Sequence, residues 1–153
     1  MKSTNFIAKI CICMLLIALT GNLLYGNDMN IRPKEPGVYI KTDKSLIRLM
    51  PNILSDEQGV LYIESNKPSR FFLKNIESFV VFGKYDIDVL TINPLIFLNV
   101  SPLGQPRFVF GKAVDIDIKN KGNDQYIIKP KTLMGRGYYC IWIENTVWDF
   151  IID

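Results

Sequence analysis

Four aspartates stand in two alternating pairs, Asp86/Asp88 and Asp115/Asp117. Alternate positions on a strand put both carboxylates on one face, and two such pairs brought together would offer calcium its oxygen ligands. Calcium loops add carbonyl, Asn or Gly ligands at set spacings, and these pairs carry none of that pattern. Paired carboxylates also suit a glycosidase acid and base, held roughly 5 Å or 6.5–9.5 Å apart across a cleft. The simplest reading is a solvated strand face, continued by Lys119 and Lys121.

The chain has no histidine. That excludes Ser-His-Asp and Cys-His catalysis and every imidazole-ligated metal. Cys140, between Tyr139 and Ile141, has no base to activate it and reads as a small core hydrophobe. Ser45 beside Lys44 and Ser78 near Lys74 are pairs any chain contains. Gly135-Arg136-Gly137 lacks the strand-loop-helix setting of a phosphate loop and reads as a turn. Trp142, Trp148, Tyr138 and Tyr139 would stack on sugar rings if exposed, but aromatics of this density are first a sandwich core. Lys119, Lys121, Lys129 and Lys131 gather on one expected hairpin, where they would protect an edge strand. No catalytic, cofactor-binding or metal-ligating residue is assigned, and no cofactor is expected.

The compartment is read from the first residues. Lys2 and Lys9 precede ten apolar residues, Ile10 to Leu19, which is the shape of a secretory signal peptide. A spanning helix needs about 20 apolar residues, and Thr20, Gly21 and Asn22 interrupt the run short of that. Gly21 or Gly26 would end the leader, taken as 1–26, and an uncleaved membrane anchor is the alternative. Cys11 and Cys13 lie inside the apolar run, the wrong place for a lipidated first residue. Loss of the leader leaves Cys140 alone, so no disulfide holds the domain. The formal charge of +3 falls further with the two leader lysines, which removes the electrostatic case for nucleic acid.

Residues 27–36 are polar, carry Pro33 and Pro36 and read as a flexible lead-in to a domain over 37–153. Val38–Lys41 and Ser45–Met50 flank a three-residue turn and predict a hairpin. Asn52 to Gly59 reads as a polar loop with a helical turn near Asp56. Val60–Glu64, Arg70–Leu73, Phe79–Phe82 and Ile87–Ile92 read as strands, the last ending at Asn93-Pro94. Leu95–Val100 is wholly apolar except for Asn99 and reads as a buried strand. From Ala113 to Lys121, Val114, Ile116 and Ile118 alternate with charges, so that strand has one wet face. Gln125–Lys129 returns beside it. Tyr138–Ile143 and Val147–Ile152 are apolar on both faces and belong in the middle of the fold. Val81-Phe82-Gly83-Lys84 echoes Val109-Phe110-Gly111-Lys112, as two strand-Gly corners on facing sheets would.

About nine short strands and no long helical period predict an all-β, mostly antiparallel β-sandwich, immunoglobulin-like or related. Pro36-Gly-Val-Tyr39, with Pro130-Lys-Thr-Leu133, Gly137-Tyr138 and Trp148-Asp-Phe150, resembles short exported bacterial proteins of unassigned function. That resemblance implies a secreted β-sandwich and carries no site or reaction. Arg136-Gly137 stands where the usual members place an acidic residue before the closing Tyr. The expectation is an exported, periplasmic or surface module without catalysis. It would bind another envelope protein or surface component by adding a strand at a sheet edge. The alternatives are a carbohydrate-binding domain and a small carboxylate-dependent hydrolase of envelope polymers.

Overall fold

The computed structural model describes residues 32–65 and 67–153. The expected leader, 1–26, and positions 27–31 of the lead-in lie outside the described residues. Strands occur in the order β1 (Gly37–Thr42), β2 (Leu46–Arg48), β3 (Asn52–Ile53), β4 (Ser55–Glu57), β5 (Val60–Glu64), β6 (Ser69–Phe71) and β7 (Ile76–Phe82). After them come β8 (Thr91–Val100), β9 (Pro106–Phe110), β10 (Ile116–Gly122), β11 (Gln125–Pro130), β12 (Gly137–Ile143) and β13 (Thr146–Ile152). The fold is all-β and, apart from a short parallel pairing of β6 with β13, antiparallel.

Two sheets pack face to face. One has the order β10-β11-β7-β1-β2. The other runs β3-β13-β12-β8-β9-β5-β4 and curls until its ends nearly meet. Asn52 Nδ2 of β3 donates to the carbonyl of Glu64 in β5 at 2.8 Å, across the seam. Alternation sorts the side chains of β12 and β13 into two cores. Tyr139, Ile141, Ile143, Trp148, Phe150 and Ile152 meet Val38, Ile40, Phe79, Val81 and Ile128 of the five-stranded sheet. On the opposite face, Cys140 and Val147 meet Ile63, Leu95 and Phe108 inside the curl. Both faces of these strands are therefore covered, which is why they lack a polar side.

Local departures from the sequence reading have physical causes. Residues 52–59 form β3, β4 and a tight turn, with no helical turn. Gln58 and Gly59 both have positive φ and Asp56 Oδ1 accepts from the Gly59 N–H at 2.9 Å, so a two-residue hairpin closes. Ile87–Val89 is one 3₁₀ turn, capped by the Asp86 side chain, and the strand begins only at Thr91. Asn93-Pro94 does not end it. Pro94 has no N–H to give, and its carbonyl accepts from the Gly111 N–H at 2.8 Å. Gly111 makes room for the ring, because a Cβ there would lie 2.8 Å from Pro94 Cγ. The echoed strand-Gly corners do end strands in different sheets, Gly83 after β7 and Gly111 after β9.

Candidate functional site

The Asp pairs do not form a common strand motif. Asp86 and Asp88 belong to the 3₁₀ turn, where Asp86 Oδ1 accepts from the Asp88 N–H at 3.2 Å. Asp117 lies on β10, opposite Lys129, with its carboxylate 3.5 Å from Lys131 Nζ. Among the described residues, no group of three or more Asp, Glu, Cys or His stands together as metal ligands would. Asp86 and Asp88 instead line an open hollow of about 530 Å³ with Tyr85, Tyr126 and Asn120.

The tryptophans do not make a flat exposed row. Trp148 lies in the inter-sheet core against Tyr85. Trp142 is half-buried over Phe110, and its Nε1 donates to the Glu144 carbonyl. Cys140 is fully buried inside the curl, where loss of solvent pushes its thiol well above the usual range.

A polar cleft of about 260 Å³ opens at the seam between β3, β5 and β13. Asp149 points into it and accepts from Ser65 Oγ at 2.5 Å. Glu64, on the same cleft, is held by Arg107 Nε at 2.9 Å. The strand pattern alone gives Asp149 no role. A lone acid within Val147-Trp-Asp-Phe-Ile-Ile152 is the signal that could single it out.

The feature that stands apart is the second half of β8. Thr91 to Pro94 pair with β12, and the register stops there. The chain reaches β12 from Met134, buried in the inter-sheet core, and Gly137 turns it into the strand with φ 151°. The pairing of β12 with β8 thus stops at Pro94, and β12 itself begins too late to reach past Ile96. Ile96, Phe97, Leu98, Asn99 and Val100 are all exposed, Phe97 and Val100 at 57% each. The sequence pattern predicts a buried strand here. It is a strand, but an uncharged run without alternation does not say which lies beside it, protein or solvent.

β9 pairs the other side of this segment and holds it firm. Ser101 closes the hairpin, its N–H donating to Gln105 O and its Oγ accepting from the Gln105 N–H. A bulge between Phe97 and Asn99 leaves Leu98 out of the register. On one face, Phe97 meets Phe108 edge-on at 6.0 Å, and Phe108 stacks on Tyr138 at 4.8 Å. Among the described residues, no strand pairs the outer edge of Ile96–Val100.

The other edges are guarded. β10 carries Lys119 and Lys121, as the lysine pattern predicts. β2 is three residues long and ends in Arg48, and β4 is three residues long and carries Asp56 and Glu57. From Thr91 to Pro106, by contrast, there is no charged residue. Short strands and charges are how proteins keep edges from pairing, and β8 uses neither.

No family model matches the chain, and no curated protein and no solved structure matches it.

Proposed function

We propose that this protein is a non-catalytic, exported module that binds another envelope component by strand addition on the free edge of β8. The observation that carries the reading is the apolar, uncharged segment Ile96–Val100, whose outer edge pairs with no strand among the described residues, beside edges that are short or charged. Strand addition draws affinity from main-chain hydrogen bonds and specificity from the side chains flanking the edge. The absence of histidine and the burial of Cys140 support a binding role over a catalytic one. The leader-like N-terminus supports export, and among the described residues no helix is long and apolar enough to cross a membrane.

The test is site-directed photocrosslinking in the protein's own cell. A crosslinker replaces Asn99 in one variant and Lys44, in the exposed β1–β2 turn, in another. One protein captured at near-equal stoichiometry from position 99, and not from position 44, is the expected result. Equal capture from both positions, or none from position 99, refutes it.

A further inference from the structure

We infer that the occupant of the β8 edge is the C-terminal end of another polypeptide, an apolar strand whose free carboxylate is received by Arg136. This inference rests on the strand-addition reading and adds the chemistry of the guest.

Direction comes first. Both neighbours of β8, β9 and β12, run antiparallel to it. A guest continuing the sheet in the same sense would lie in line with β12 and travel toward its first residue. Extending the register from Tyr139 opposite Pro94 places Gly137 opposite Ile96. The guest would therefore run into the start of β12 after about four residues, from Val100 back to Phe97. A chain that ends there fits without turning. Its last atoms are a carboxylate, set beside Arg136.

Charge agrees with that ending. Arg136 is exposed and, among the described residues, makes no ion pair. It lines a hollow of about 440 Å³ with Gly137, Tyr138, Phe72, Arg70 and Asp153. Asp153 is bound by Arg70, with contacts at 2.7 and 3.0 Å, and feels Arg136 only at longer range. Arg136 is thus the guanidinium of the hollow that has no ion-pair partner among the described residues. The edge itself is uncharged, so the guest's strand is apolar or neutral while its end is anionic.

Area argues against a second copy as occupant. A stable dimer buries roughly 1,200–2,000 Å² in total. About four residues of edge strand on each copy fall short of that, whereas a short peptide needs no more than the edge.

The test uses the full chain and a dye-labelled heptapeptide of alternating valine and threonine ending in phenylalanine. The peptide is made as the free acid and as the C-terminal amide, and binding is read by fluorescence anisotropy. The expected result is binding of the acid about tenfold or more tighter than the amide. Arg136→Ala should erase that difference, and Leu98→Pro should abolish binding of both. Leu98→Lys, an exposed change that leaves the backbone free, should weaken both if the proline variant fails to fold. Equal binding of acid and amide to the natural sequence overturns carboxylate capture and leaves strand addition standing. No peptide binding, with a concentration-dependent dimer that Leu98→Lys disrupts, overturns the guest's identity in favour of a second copy. No binding and no self-association overturns both this inference and the strand-addition reading.

Discussion

Replacing Gly111 with alanine tests the contact that shapes the root of the β8–β9 hairpin. A Cβ at position 111 would lie 2.8 Å from Pro94 Cγ and 3.1 Å from Pro94 O. Where the backbone tolerates it, Gly→Ala stabilises by about 0.4–1 kcal/mol through the unfolded chain. Forcing a methyl into a packed contact costs about 1–3 kcal/mol. The second effect wins, and the net loss is about 1–2 kcal/mol. In a chain of this size that lowers Tm by roughly 3–10 °C. The decisive measurement is a double-mutant cycle by urea denaturation. Pro94→Ala removes Cγ, so Gly111→Ala should cost about 1 kcal/mol less in that background, a coupling well above the usual additivity error. A stabilised Gly111→Ala variant, or costs that add independently of Pro94, would show that the close approach does not constrain the hairpin.

Other sites carry further expected outcomes. Phe150 is fully buried, 5.3 Å from Phe79 and 6.0 Å from Tyr139 between ring centroids, so Phe150→Ala should cost about 3–5 kcal/mol in urea denaturation. The Arg70 hydrogen bond holds the Asp153 carboxyl below its ordinary value. A depressed acid stabilises the fold above its unfolded pKa, and that contribution is lost as pH falls through the lowered folded pKa. Carbon-13 NMR should therefore place the Asp153 midpoint below that of an ordinary Asp, and Arg70→Ala should return it upward. Cys140 should resist iodoacetamide at pH 8 in the folded protein and alkylate readily in urea, read by mass mapping of its peptide; prompt native labelling would contradict its burial.

Much of the fold is legible because local pattern and tertiary setting agree. The period-two run from Ala113 to Lys121 becomes strand only from Ile116, as β10, with Val114 before it and Ile116 within it packed on the core and its lysines at an edge. Its outer part overhangs, so Ile118 is exposed where alternation points it inward. The two-faced apolar runs Tyr138–Ile143 and Val147–Ile152 become the shared wall between two cores. The curl of the second sheet is not legible. Its closure depends on contacts distant in sequence, such as Asn52 with Glu64 and Ser65 with Asp149. The same gap hides the candidate site. Leu95–Val100 carries the composition of an interior strand, and its exposure is decided only by where β12 begins. One signal is present: a proline inside a strand points to limited pairing on one side, and Pro94 lies where β8 is about to lose its neighbour.

The energetics of the β8 edge say what kind of binding it supports. Covering Ile96, Phe97, Leu98 and Val100, each about half exposed, gains on the order of 1 kcal/mol apiece. About four main-chain hydrogen bonds along the open edge add about 1 kcal/mol each. The gross gain is on the order of 8 kcal/mol, and association costs about 4 kcal/mol or more. The edge alone would therefore bind weakly, and under the carboxylate-capture inference a charge-assisted contact at Arg136 would add about 1.5–3 kcal/mol to a guest of the right polarity and direction. Millimolar to micromolar binding of that kind becomes effective when the partners are confined together, because tethering raises the effective concentration without any new contact. An edge of this chemistry suits a module that meets its guest within a restricted space, and it would serve poorly as a trap for a dilute ligand.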